Sequence, residues 1–100
     1  MAKVGLLVKL VAKAGQEEAL GAFLTSARPL AEAEAFTTSW FAFKADASTF
    51  YIFDTFDDDG GRKQHLAGPI AAALMAKAPE LLASAPEIGN VDILADKLKA

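Results

Sequence analysis

Two residues in the stretch "TFYIFDTFDDDGGRKQHLAGP", residues 49–69, are suited to acid–base chemistry: Asp54 and His65, the latter the chain's one histidine. An unperturbed imidazole titrates at ~6.5, so it can take up or give a proton near neutrality. The plainer alternative has His65 packed against a sheet and hydrogen-bonded to backbone. Asp54 is a carboxylate in an otherwise apolar strand. Burial raises such a pKa unless a cation or hydrogen-bond donors hold the charged form. Asp54 therefore either orients His65 or makes a structural polar contact, within the sheet or at an interface. The chain has no cysteine, which removes thiolate nucleophiles and disulfides and fits a reducing compartment. With one histidine and no cysteine, neither an HExxH nor a Cys/His metal site can be assembled.

The elements that must position these residues follow from periodicity. Residues 4–12 alternate, with Val4, Leu6, Val8 and Leu10 on one parity, and read as a strand. Gly15 marks a turn. Glu17 and Glu18 open a helix at its positive end, and Leu20, Phe23, Leu24 and Ala27 form its apolar stripe. Pro29 ends or kinks that helix. "AEAEAF" links to a second strand, "TTSWFAFKA", and "DAS" makes a tight hairpin connection to a third, "TFYIFDTF". "DDDGG" reads as a solvated loop and residues 61–67 as a short helix. Gly68 and Pro69 start a longer helix, which Pro79 should kink or divide. "IGNVDILADKL" supplies a last strand. The order β-α-β-β-α-β predicts an α+β chain of the ferredoxin-like, split βαβ kind. It has one four-stranded antiparallel sheet and helices on one face. A length of 100 residues suits a single domain spanning 1–100.

Eight of the nine aromatics fall between residues 36 and 56. Alternation puts Phe50, Ile52, Asp54 and Phe56 on one face of the third strand and Tyr51 and Phe53 on the other. Helices cover one face only, so the second calls for a partner, and a homodimer through that sheet face is the expectation. A net charge of −3, from 13 acids and 10 bases, gives no electrostatic footprint for nucleic acid. Lys3, Lys9 and Lys13 interrupt the N-terminal apolar run well before the ~20 residues of a membrane span. No basic, apolar and cleavage regions of a signal peptide are visible, and the expected location is the cytoplasm.

The pattern resembles the antibiotic biosynthesis monooxygenase family, whose members are dimeric α/β barrels of ferredoxin-like subunits. The resemblance rests on "VKLVAKAGQEEALGAFL", "TFYIFDTFDDDGGRKQHLAGPIAAAL" and "PELLASAPEIGNVDIL". The family's middle pattern is an aromatic strand ending in an acid and a tryptophan, then a turn, an "AHL"-like short helix and a proline. This chain has Asp54, Phe56 in place of the tryptophan, Gln64-His65-Leu66, and Pro69. The resemblance implies a pocket between sheet and helices, walled by Phe50, Ile52 and Phe56, with Leu74 and Met75 opposite and Trp40 at its edge. It implies a cofactor-free monooxygenase in which His65, with Asp54, ionises a phenolic, quinol or anthrone-like compound that then reacts with O2. The alternative is a dimer of the same fold that binds a small molecule without turnover, or serves in stress responses. The haem-degrading branch uses an asparagine, a tryptophan and a histidine where this chain has Val8, His65 and Met75, so no haem, flavin or metal is expected.

Overall fold

The computed structural model describes residues 2–99. Its elements run β1 (Val4–Val11), α1 (Glu17–Ser26), α2 (Arg28–Glu32), β2 (Ser39–Lys44), β3 (Thr49–Phe56), α3 (Asp59–Leu66), α4 (Pro69–Leu81) and β4 (Glu87–Asp92). The four strands form one antiparallel sheet in the order β2-β3-β1-β4. This is the predicted α+β, ferredoxin-like topology. No helix among the described residues is long and apolar enough to cross a membrane.

The core lies between the helices and one face of the sheet. Leu6, Val8 and Leu10 of β1 and Phe50, Ile52 and Phe56 of β3 are buried on that side, against Leu20 and Leu24 of α1 and Ile70, Leu74 and Leu81 of α4. Strand alternation and the helical stripe therefore select the same set of residues. Register completes the arrangement: Asp54 lies across from Leu6 on one side and Trp40 on the other. One acid is thereby carried into the middle of an apolar face.

Local details depart from expectation in four places. Pro29 lies in the first turn of α2, where its missing N–H costs nothing, so the chain starts a new short helix there. Asp58 caps α3 by accepting a bond from the Gly61 N–H at 2.9 Å, so that helix starts at Asp59 rather than 61. Pro79 sits inside α4 without dividing it. The carbonyl it leaves unbonded is that of Met75, an exposed residue, where water can serve it. The last strand is shorter than the pattern "IGNVDILADKL" suggested and ends at Asp92.

Candidate functional site

Asp54 is 0% exposed and His65 5%. His65 sits in the last turn of α3, above the end of β3, with its ring tilted against Phe56 at 5.3 Å between centroids. Its Nε2 lies 2.8 Å from Asp54 Oδ2. That approach is an ionic contact without hydrogen-bond alignment, since both Asp54 oxygens lack a hydrogen-bond partner among the described residues. The other ring nitrogen, Nδ1, lies 2.7 Å from Oε1 of Glu34. Glu34 is itself buried, and its Oε1 also accepts from the Thr37 hydroxyl at 2.8 Å. Its Oε2 has no hydrogen-bond partner among the described residues.

A ring that meets a carboxylate at each nitrogen favours a proton on both, the imidazolium form. The electrostatics agree. Burial alone pushes the His65 pKa down, but the contact with Asp54, the Coulomb attraction of Asp54 and then those of Glu34 outweigh it and hold the pKa above 6.5. The carbonyl end of α3 adds to the preference for a cation there. The group titrates at ~6.5 unfolded and higher when folded. Its stabilising contribution is thus complete below ~6.5 and is lost as pH rises through the folded value. Thermal unfolding across pH 6 to 9 should therefore show a falling midpoint, with the corresponding slope much reduced in His65→Gln. A wild-type midpoint that holds level or rises over that range would contradict this.

Glu34 escapes a reading of the sequence. It lies in "AEAEAF", which looks like a plain link, and nothing local separates it from Glu32, which is exposed and pairs with Arg28 at 3.4 Å. Only the packing of α3 over the segment turns Glu34 inward. Gly61 permits this close approach: a Cβ there would stand 3.1 Å from the Phe36 carbonyl oxygen.

A cleft runs between α1–α2 and the free edge of β2. Its polar part, about 460 Å³, is bordered by Arg28, Glu34, Thr37, Thr38, Ser39 and Trp40. Its apolar part, about 390 Å³, is bordered by Leu24, Trp40, Ala42, Phe43, Lys44 and Phe50. Arg28, Trp40 and Ala42 belong to both, so the two parts are continuous. The structure thus brings Trp40 and Phe50 to the cleft wall, and Ile52 and Leu74 into the core behind it. Asp54, Phe56 and His65 form a buried group, joined to the cleft through Glu34. Met75 is exposed and borders a separate groove with Pro79 and Pro86. No group of three or more histidine, aspartate or glutamate side chains among the described residues is arranged to hold a metal ion.

This α+β chain, with a histidine under its sheet-and-helix core, has the fold of proteins given the name "putative antibiotic biosynthesis monooxygenase". One from Chloroflexus aurantiacus is 22% identical at a TM-score of 0.74, covering 96% of this chain and 97% of its own. One from Nitrosomonas europaea is 10% identical at a TM-score of 0.82, covering 93% of this chain and 91% of its own. The fold named by the sequence resemblance is therefore the fold found. More specifically, the chain belongs to the family of the NE2512 protein of Nitrosomonas europaea, a protein of unknown function. The two are 58% identical at a TM-score of 0.97, over 100% of this chain and 97% of that one. No family model matches the chain, and no curated protein matches it.

Proposed function

We propose that the protein is a cofactor-independent monooxygenase that takes a small phenolic, quinol or anthrone-like compound into the cleft along β2. The observation that carries this reading is Glu34. It is a buried carboxylate at the polar end of a cleft walled by Trp40 and Phe50, with Oε1 held by His65 and Thr37 and Oε2 enclosed and without a hydrogen-bond partner among the described residues. Both His65 nitrogens face carboxylates, so His65 acts on the substrate through Glu34. Glu34 accepts the substrate's hydroxyl or acidic C–H proton, His65 with Asp54 stabilises the changing charge, and the aromatic walls orient the ring. The electron-rich anion then reduces O2 directly. For an anthrone, the CH2 carbon becomes C=O with one oxygen atom, and the other leaves as water with both hydrogens. This is a four-electron oxidation balanced by four-electron reduction of O2, with no outside reductant.

A second reading, binding without turnover, is favoured by the enclosure of His65, which borders none of the clefts described. Oxygen uptake with a panel of quinols and anthrones separates the two, with fluorescence of Trp40, the one tryptophan, as the binding signal. Consumption of one O2 per molecule oxidised, without release of peroxide, is expected. Saturable quenching of Trp40 with no oxygen consumed would establish binding alone.

The protein is also proposed to pair through the sheet face opposite the helices. Phe41 and Phe43 are 50% and 46% exposed there, beside Leu7, Tyr51 and Phe53. Sedimentation at micromolar concentration should show a dimer. Phe41→Asp, which places a charge where the second copy packs, should weaken it at least ~100-fold. A wild type that stays monomeric would remove this part of the reading.

A further inference from the structure

The apolar part of the cleft carries charge of one sign. Arg28 and Lys44 border it, and no acid among the described residues does. Lys44 meets no acid among the described salt bridges, and its Nζ stands over the Phe50 ring, 5.6 Å from the centroid. Arg28 meets Glu32 at 3.4 Å, but both side chains are exposed, and the base precedes the acid along the helix, the weaker order for such a pair. Both cations are therefore available to a better partner.

The space between them suits a flat ring. Trp40, Ala42 and Lys44 share one face of β2, across from Asp54, Ile52 and Phe50 of β3. Trp40 and Lys44 lie ~13 Å apart along the strand, with the small Ala42 between two long side chains. Gly21 of α1 faces the same space, where a Cβ would stand 3.8 Å from the Phe50 ring. The small residues Ala42 and Gly21 thus leave a slot between the Trp40 indole and Phe50. Trp40 borders the cleft while its Nε1 is enclosed, so the indole offers the slot carbon surface rather than its N–H.

We infer that this slot takes an aromatic carboxylate: the ring lies over Ala42 between Trp40 and Phe50, and the carboxylate meets Arg28 and Lys44. A neutral ring there covers two cations without replacing the water it removes, whereas a carboxylate gives charge-assisted bonds to each. Its planar oxygens also match the fork of the guanidinium. Glu34 at the polar end sets the direction, because an acid turned that way meets like charge. The inference rests on the proposed use of this cleft and narrows it. The compound carries its acid group at the apolar end and presents its hydroxyl to Glu34. Arg28 and Lys44 then determine specificity without touching the reacting hydroxyl.

Calorimetric titration with a hydroxynaphthoate and with its uncharged amide tests this without requiring turnover. Wild type should bind the acid at least ~10-fold more tightly than the amide, the scale of one hydrogen bond to a charged group, and added salt should shrink the ratio. Arg28→Gln/Lys44→Gln changes two exposed positions, so the chain still folds. It should remove the preference and leave amide binding little changed. Ala42→Leu, which fills the slot, should weaken both compounds alike. Equal binding of acid and amide by wild type overturns the inference, as does an acid preference that survives the double substitution, or acid binding undiminished in Ala42→Leu. Each of these leaves the cleft to the neutral quinols and anthrones of the proposed function. If neither compound binds at millimolar concentration the inference also falls, while oxygen uptake still decides that function independently.

Discussion

His65→Ala should cost about 3–5 kcal/mol of stability, the scale for removing one partner from a buried ionic group. Small domains hold a total margin of about 5–15 kcal/mol, so the variant should be partly or wholly unfolded at 37 °C. The reason is what remains rather than what is lost. Glu34 and Asp54 keep their buried places on either side of the missing ring, and no other cation contacts them among the described salt bridges. Two carboxylates without a counter-ion in the interior must take up protons or pull water inward. The added cavity beside Phe56 deepens the loss. Urea unfolding of wild type, His65→Ala and His65→Ala/Glu34→Gln measures it. The double variant should recover part of the deficit, since one of the uncompensated charges is gone. A single variant within 1 kcal/mol of wild type would show that the imidazolium is not holding the two acids.

Glu34→Gln should separate chemistry from folding. The amide oxygen retains the acceptor that meets His65 and Thr37, while the free carboxylate oxygen becomes a neutral NH2. Asp54 and His65 remain as a balanced pair, so stability should change little. Turnover should fall by ~10²-fold or more, the scale for losing a general base, with binding of a non-reactive analogue nearly unchanged because Trp40 and Phe50 still form the walls. Equal oxygen uptake by variant and wild type would remove Glu34 from the mechanism. A parallel drop in analogue affinity would instead assign it to holding the ligand.

The strands were legible because both the sheet and the helices repeat an apolar pattern that has only one way to be buried. Leu6, Val8 and Leu10, and Phe50, Ile52 and Phe56, declare their shared face by alternation alone. The same alternation sets Asp54 on that face, which the fold then turns inward. The strand ending was less legible: "IGNVDILADKL" keeps a strand-like composition past Asp92, but the regular ladder stops there and only Ile93 bonds back beyond it, to the Lys3 carbonyl. Pro79 shows the limit of a local rule, since its effect depends on whether the carbonyl it frees reaches water.

The sequence by itself determined the α+β order, the alternation that sets Asp54 on one face with Phe50, Ile52 and Phe56, and the presence of a single histidine. These are properties of near neighbours and of period, and each is fixed by at most one turn or one strand of chain. The tertiary structure decided which acid meets which side of that histidine. Glu34 stands 31 residues before His65 along the chain and shares no element with it. Its selection over Glu32 depends on how closely α3 packs over the turn after α2, a distance set by Gly61 and Phe36. The charge on His65 follows from that packing, because its protonation reflects the balance of burial against two carboxylates, and only the folded chain brings the three together.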